Sequence, residues 1–256
     1  MQIYVCVKHV PDSAANITIL DKKCIDENIA FLLNPYDEHA VTEAAALKNQ
    51  FKESEIIAIC LGKKDAEKTI RSAMAMGADR GILIETTEVR DSMTTARALK
   101  AAIEQDGTPG IILTGRESID SEGMQTMFRI GTLFDFPVVT NAVNVKAKAD
   151  RAIVVYELAD GQTRTVEMSI PCVIAAGRGL NTPSYPTFPD VVKARKKPVS
   201  IIDFHSLVIE TSSGSARLIE LAPLAQERSP KEINGTPLEI AEKITAILKV
   251  EAKVIS

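Results

Sequence analysis

The stretch IILTGRESIDSEGMQT, residues 111–126, contains a strand, a tight polar turn and the start of a helix. Its first residues are apolar or β-prone, as in a buried strand. A glycine and a run of small and charged residues follow. After Asp120, apolar residues recur at helical spacing as far as Phe134. A strand that passes through such a turn into a helix is the unit from which parallel α/β folds are built.

The first two thirds of the chain repeat this unit. The patterns predict strands at 3–10, 56–62, 81–85 and 110–115, and helices at 34–48, 65–79, 94–105 and 123–134. The first helix has Asn34 as its expected N-cap and Pro35 at its first position. The alternation predicts a parallel sheet with helices on both faces, a Rossmann-like nucleotide-binding α/β fold.

The remaining third of the chain departs from that alternation. Residues 143–169 are predicted to form antiparallel strands, 171–177 a buried strand, and 205–235 an extended arm. Residues 178–200 are rich in proline and polar residues and then basic. Residues 237–249 have the pattern of an amphipathic helix. We therefore expect an α/β nucleotide-binding domain at 1–200, and a C-terminal arm and helix at 201–256 that contact a partner subunit.

Composition excludes several classes of function. The net charge of -4 argues against nucleic acid as the main partner. Four scattered cysteines show no zinc spacing, so no metal site is expected. No apolar stretch approaches the ~20 residues that span a membrane, and the N-terminus lacks a signal-peptide pattern. These features predict a cytoplasmic protein without membrane insertion, with an organelle matrix as the alternative.

Polar turns follow several strands at one expected edge of the sheet. They are residues 8–12, 61–63 and 115–126, and a further helix opens at Asn34–Pro35. Backbone N–H groups at a helix N-terminus attract anions, so a nucleotide phosphate is the expected ligand. Such turns are also common without any ligand. No P-loop, G-x-G-x-x-G, nucleophile elbow or paired histidines accompany them, and the residues alone indicate no catalytic group.

Six stretches, in order and at similar spacing, resemble the beta subunits of electron transfer flavoproteins over nearly the full chain. They are VCVKHVPD (5–12), LNPYDEHAVTEAAALK (33–48), TIRSAMAMGADRGI (69–82), GRESIDSEGMQT (115–126), ADGQTRTVEMSIPCVIAA (159–176) and GLNTPSYPTFPDVVKARKK (179–197).

The resemblance implies a heterodimer with an electron transfer flavoprotein alpha subunit. The alpha subunit would hold most of a redox-active FAD, and this chain would bury an AMP. Electrons would pass from an acyl-CoA dehydrogenase of fatty acid oxidation to a membrane quinone oxidoreductase. Such a chain is a carrier without substrate chemistry, so no catalytic residue is expected. In the alternative, electron-bifurcating branch, a second FAD replaces AMP and NADH is oxidised. Outside the family, a stand-alone adenine-nucleotide module is the competing interpretation.

The resemblance also implies site residues. A nucleotide site would be formed by Cys6, Asn34, Pro35, Tyr36, Asp37, Leu61, Gly115, Arg116, Glu117, Ser118, Ile119, Asp120, Ser121, Glu122, Gly123, Met124, Gln125 and Thr126. Phe188 would anchor the dehydrogenase at the tip of a recognition loop, with Lys193 to Lys197 steering an acidic partner. The alternative for Phe188 is packing against its own domain.

Two stretches depart from the family patterns. The bifurcating branch usually carries DGDTAQVG where this chain has DSEGMQTM, residues 120–127; Asp120 and Gln125 match. Thr126 and residues 179–197 are more similar to the AMP-bearing branch. At Glu157 and Leu158 the family often has a basic and then an acidic residue that helps to set domain orientation. That role is absent here or falls to Glu157.

Overall fold

A nine-stranded, mostly parallel sheet forms the body of the protein in a computed structural model, which describes residues 1–210, 218–223 and 230–255. The strands of this part of the chain are β1 (Gln2–Cys6), β2 (His9–Pro11), β3 (Ile19–Leu20), β4 (Cys24–Ile25), β5 (Phe31–Leu33), β6 (Glu55–Gly62), β7 (Arg80–Glu85), β8 (Pro109–Gly115), β9 (Val138–Ala147), β10 (Arg151–Glu157), β11 (Thr163–Ser169), β12 (Cys172–Ala176) and β13 (Val199–Asp203). The order in the large sheet is β11-β10-β9-β12-β8-β1-β6-β7-β13.

β1 lies at the centre of the parallel part of the sheet. Ile3 is paired with Ile56 of β6 on one side and with Ile111 of β8 on the other. The run from β9 through β12, β8, β1, β6 and β7 to β13 is parallel, and β10 and β11 extend it as antiparallel strands. The predicted fold class is confirmed, with the antiparallel strands continuing the same sheet.

Helices cover both faces of the sheet. They are α1 (Pro35–Gln50), α2 (Glu67–Ala75), α3 (Ser92–Asp106), α4 (Thr126–Phe134) and α5 (Phe188–Ala194). A further helix, α6 (Pro237–Ala246), belongs to a separate unit of the chain. Apolar side chains of α1 and α2 pack with Ile3, Val5 and Ala58 on one face. Those of α3 and α4 pack with Tyr4 and Ile57 on the other. Because successive strand residues point to opposite faces, the nearly continuous apolar strands fill both cores.

Two local predictions were wrong. The strand predicted at 3–10 ends at Cys6, because the chain turns at Lys8 and residues His9–Pro11 pair instead with β5. The helix predicted from 123 begins at Thr126, because Met124 has a φ of 49°, outside the helical region. The segment 178–200, for which no helix or strand was predicted, contains α5 and the start of β13.

The described residues form two compact units, Met1–Ile219 and Glu220–Ser256. β13 runs through residue 200, where we placed a boundary, and that division stays a prediction. Parts of the predicted arm, 211–217 and 224–229, lie outside the described residues. In the second unit, α6 has a Thr236 capping box and no buried residue. No helix among the described residues is long and apolar enough to cross a membrane.

Candidate functional site

A cavity of about 800 Å³ opens at the carboxyl ends of the central strands. Its lining includes residues at the ends of four neighbouring strands: Cys6 of β1, Leu61 of β6, Gly115 of β8, and Thr86, which comes directly after β7. Its volume lies within the ~300–1,000 Å³ typical of small-ligand pockets. Ligands of open parallel sheets bind at this edge, near the strand where the order reverses direction, which is β1 here.

Asp37, in the first turn of α1, connects two strand ends. Its Oδ2 accepts a hydrogen bond from the Lys8 backbone N–H at 2.7 Å, and its Oδ1 accepts one from Gly115 N–H at 3.0 Å. The side chain is buried, and burial raises its pKa to about 7, although hydrogen bonds from Asn34, Lys8 and Gly115 act in the opposite direction. The carboxyl group thus joins the segment that follows β1 to the end of β8 at the lining of the cavity.

Gly115 permits this close approach. A Cβ atom at Gly115 would lie 2.4 Å from Asp37 Oδ1 and 2.6 Å from Tyr36 Cβ. Both distances are shorter than any real Cβ contact, so the start of α1 packs against β8 only because residue 115 has no side chain. A glycine at the end of a predicted strand was the sequence signal for this contact.

Asn34 holds the polar turn rather than its own helix. It occupies the N-cap position of α1, as predicted, but its side chain makes no cap hydrogen bond. Instead Nδ2 donates to the Glu117 carbonyl at 2.9 Å, and Oδ1 accepts from Ile119 N–H at 3.2 Å. The buried side chain therefore ties residues 117–119 to the base of α1.

Lys8 crosses the cavity to the same turn. Its Nζ lies 2.7 Å from Asp120 Oδ1 and 3.2 Å from the hydroxyl oxygens of both Ser118 and Ser121. Burial alone would raise the pKa of Asp120, but the bond to Lys8 and its charge hold that pKa below the ordinary value. Asp120 is therefore ionised at neutral pH, and its charge offsets part of that of Lys8.

The first backbone N–H groups of α4 belong to residues that line the cavity and are not capped by a side chain. Gln125 occupies the N-cap position without a side-chain hydrogen bond to the helix, and Gln125, Thr126 and Met127 line the cavity. The first N–H groups of a helix have no partner within it and carry partial positive charge. This arrangement favours an anionic group near Thr126.

The cavity also includes two segments that we did not predict. One is at Glu27 to Phe31, where the Phe31 ring stacks on His9 with centroids 4.8 Å apart. The other follows β7, at Thr86 to Ser92. The second could have been found, since β7 ends at the same edge as its neighbours. The first depends on the β2–β5 pairing, for which the sequence carries no comparable signal.

Most of the residues implied by the resemblance line the cavity. They are Cys6, Asn34, Asp37, Leu61, Gly115, Arg116, Glu117, Ser118, Asp120, Ser121, Gly123, Met124, Gln125 and Thr126. Pro35, Tyr36, Ile119 and Glu122 are not among the lining residues. The Tyr36 ring instead lies beneath two guanidinium groups, with Arg178 Cζ at 5.0 Å and Arg116 Cζ at 5.7 Å from its centroid.

Phe188 lies away from the cavity lining, as the first residue of α5. It is 80% exposed, so its ring does not pack against its own domain. Val192, one turn later on the same helix face, is also exposed. Within the basic run, Lys193, Arg195 and Lys196 are exposed, whereas the Lys197 ammonium donates to the carbonyls of Met74 and Ala78.

Comparison with known proteins identifies the family. Residues 22–207 match the electron transfer flavoprotein domain. Electron transfer flavoprotein subunit beta of Dictyostelium discoideum is 33% identical over 98% of this chain and 98% of its own length. The proteins of the same name from Bacillus subtilis and Homo sapiens are 30% and 31% identical, over 100% and 97% of both chains. The chain therefore belongs to the electron transfer flavoprotein family, as one of its beta subunits.

Proposed function

We propose that the cavity binds AMP, with its phosphate in the turn 115–126. The observation that carries this proposal is the meeting of that turn, the uncapped start of α4 and the Lys8 ammonium at one wall of the cavity. A phosphate near Thr126 would accept hydrogen bonds from α4 N–H groups and would have a cation within the same wall. Elsewhere in the lining, the apolar side chains of Val7, Ile29 and Leu99 would suit an adenine ring.

A second FAD in the same cavity is the alternative. It is favoured by the extent of the space, which continues past β6 to Thr86, Glu88 and Arg90 beyond β7. Asp120 and Gln125, which match the bifurcating pattern, also line it. In that case the chain would belong to an NADH-oxidising, bifurcating complex. The flavin-to-protein ratio of the purified complex separates the two proposals.

The chain works, in this proposal, as one half of a heterodimer. The matched relatives are named as beta subunits, which supports pairing with an alpha subunit that carries the redox-active FAD. α6 supports the same conclusion, because Leu238 is 70% exposed and no residue of that helix is buried. An isolated adenine-nucleotide module would have no need of an amphipathic helix whose apolar residues are exposed.

Co-expression tests the pairing. We expect the chain to co-purify with an alpha subunit and to melt at a higher temperature in the complex than alone, because a partner that binds the folded state stabilises it. A chain that is monomeric and equally stable with and without the candidate alpha subunit would contradict the heterodimer and support the stand-alone module.

Phe188 docks an acyl-CoA dehydrogenase, whose electrons the complex passes to a membrane quinone oxidoreductase. The support is an aromatic ring that is 80% exposed at the start of α5. Pro183 and Pro186 precede the helix and Pro189 is its second residue, and all three restrict the backbone. Exposed Lys193, Arg195 and Lys196 would steer an acidic partner surface.

Phe188→Ala tests this docking. Truncating an interface anchor weakens binding by about 2 kcal/mol or more, so the dehydrogenase's KM for the complex should rise about 30-fold. Flavin content and melting temperature should stay unchanged. Ile201→Ala, at an exposed apolar position on β13, is the matched control and should leave KM unchanged. An unchanged KM in Phe188→Ala would show that this ring is not the anchor.

A further inference from the structure

Helices α2 and α5 cap each other's C-terminal ends. Arg71 of α2 directs Nη1 at the carbonyls of Ala194, Arg195 and Lys197, at 2.9, 3.2 and 2.8 Å. In return, Lys197 Nζ donates to the carbonyls of Met74 and Ala78, at 3.0 and 2.6 Å. Met74 lies in the last turn of α2 and Ala194 is the last residue of α5, so each cation adds a charge-assisted hydrogen bond at the C-terminal end of the other helix.

The Arg71 guanidinium is held in place by its own helix. Its Nε and Nη2 donate to Glu67 Oε1 at 3.0 and 2.8 Å, one turn earlier on α2. The donors of the guanidinium group are thus divided: Nε and Nη2 bind Glu67 of α2, and Nη1 binds carbonyls at the end of α5. Such charge-assisted bonds in a fixed planar geometry are ones that a lysine reproduces only in part.

α5 contains seven residues, of which only Ala194 is buried. Besides Arg71, its C-terminal end is held by the Lys197 bonds to Met74 and Ala78 and by the following strand β13, which pairs with β7. Helices of this length are not stable alone in water, so tertiary contacts must order it. Its first turn is closed by a capping box between Thr187 and Asp190, which is local to the segment. Arg71 is one of the contacts that join the C-terminal end of α5 to the rest of the domain. The exposed Phe188 ring lies at the opposite, N-terminal end of the same helix.

We infer that Arg71 is a positioning residue for dehydrogenase docking: it orders α5 and so holds Phe188 in the orientation that a partner binds. This inference rests on the proposed docking role of Phe188. A preordered anchor loses less conformational entropy on binding, so freeing α5 should weaken docking without touching the flavin or the nucleotide cavity.

The test uses the heterodimer with an acyl-CoA dehydrogenase and its acyl-CoA substrate, and compares Arg71→Met, Arg71→Lys, Phe188→Ala and the double variant. Arg71→Met should raise the dehydrogenase's KM for the complex about tenfold, with kcat and flavin content unchanged, since charged hydrogen bonds are lost from the end of α5. Arg71→Lys should recover part of the loss. Arg151→Met is the matched control: it removes an exposed arginine paired with Asp150 and Glu167 on the antiparallel edge, and KM should not change.

Amide hydrogen exchange adds a readout that needs no dehydrogenase. In Arg71→Met, amides of 191–197 should exchange at least tenfold faster, while those of β1 and β8 keep the parent rates. In the double variant the Arg71 effect on KM should disappear, because no anchor remains to be positioned.

The outcomes separate the inference from the proposed function. If Phe188→Ala raises KM but Arg71→Met leaves KM or the exchange rates of 191–197 unchanged, the positioning role is overturned and docking stands. An Arg71 effect of full size in the Phe188→Ala background also overturns it. If Phe188→Ala itself leaves KM unchanged, the proposed docking fails and the inference fails with it. Should Arg71→Met not fold, Arg71→Lys alone must raise KM with kcat unchanged, and a KM equal to the parent's overturns the inference.

Discussion

Replacing Asp37 by Asn tests the carboxyl group that joins β1 to β8. Both carboxyl oxygens accept backbone N–H groups, from Lys8 and Gly115. An amide has one oxygen, so its nitrogen must face one of these donors. A buried N–H left without an acceptor costs about 1–3 kcal/mol, which sets the expected loss of stability at pH 5.

The same substitution removes a pH dependence. The pKa of Asp37 is about 7 in the folded protein and 3.8 is its ordinary value, so the folded state holds the proton more tightly. Stability from this group is fully present below about pH 4 and is lost as pH rises through 7. The whole loss is about 4 kcal/mol at 1.36 kcal/mol per pH unit, with about 2.5 kcal/mol of it between pH 5 and 8. Asn is neutral throughout and should lack this loss.

Urea unfolding of the heterodimer, at one protein concentration and at pH 5, 6, 7 and 8, measures the difference between parent and Asp37→Asn. We expect the parent's advantage to shrink by about 2.5 kcal/mol across this range. Asp106→Asn is the control. Burial acts to raise the pKa of Asp106, but hydrogen bonds from Arg80 and Tyr4, together with the charge of Arg80, have a larger effect in the opposite direction, and the net pKa is below the ordinary value. Asp106 therefore titrates below pH 5. Its difference should be flat between pH 5 and 8. If the difference in unfolding free energy between the parent and Asp37→Asn is also constant from pH 5 to 8, Asp37 does not titrate with a raised pKa in the folded protein.

Three further outcomes follow from the geometry. Thr126→Glu should expel the nucleotide, because a carboxylate at the start of α4 repels the phosphate. Nucleotide content is measured by ultraviolet absorbance after extraction, and a full content in this variant would show that the phosphate does not bind near Thr126. Gly115→Ala should lower stability by about 1–3 kcal/mol in urea melts, since its Cβ would meet a carboxylate oxygen at 2.4 Å, whereas Gly123→Ala meets nothing within 4 Å and should be neutral. Lys196→Met should weaken the salt dependence of electron transfer from the dehydrogenase. Lys197→Met should instead lower the melting temperature, because its ammonium binds the carbonyls of Met74 in α2 and of Ala78 after that helix; equal behaviour of the two variants would contradict this division.

The part of the fold that depends on periodicity could be predicted from the local sequence. Continuous apolar strands alternating with amphipathic helices indicate a parallel sheet, because each pattern reflects burial along a single element. The α5 helix was missed for the same reason. Only Ala194 of α5 is buried, so the segment has almost no apolar period to read, and its order depends on the distant Arg71.

The candidate site was predictable where it lies on strand ends and not where it depends on contacts between distant residues. The turn 115–126 follows β8 directly and could be placed at the edge of the sheet. The hydrogen bond between Asp37 and Gly115 joins residues 78 positions apart in the sequence. The two hydrogen bonds from the Asn34 side chain to Glu117 and Ile119 join residues 83 and 85 positions apart. Asn34 shows the limit clearly, because an N-cap pattern is equally compatible with capping and with a long-range contact.

The most direct test is to denature the purified heterodimer and to identify and count the nucleotides that it releases. We expect one AMP and one FAD per heterodimer, with AMP lost and FAD kept in the Thr126→Glu variant. Two FAD and no AMP would favour the bifurcating alternative. A heterodimer that releases no adenine nucleotide beyond a single FAD would show that the cavity at the carboxyl ends of β1, β6, β7 and β8 is not a nucleotide site.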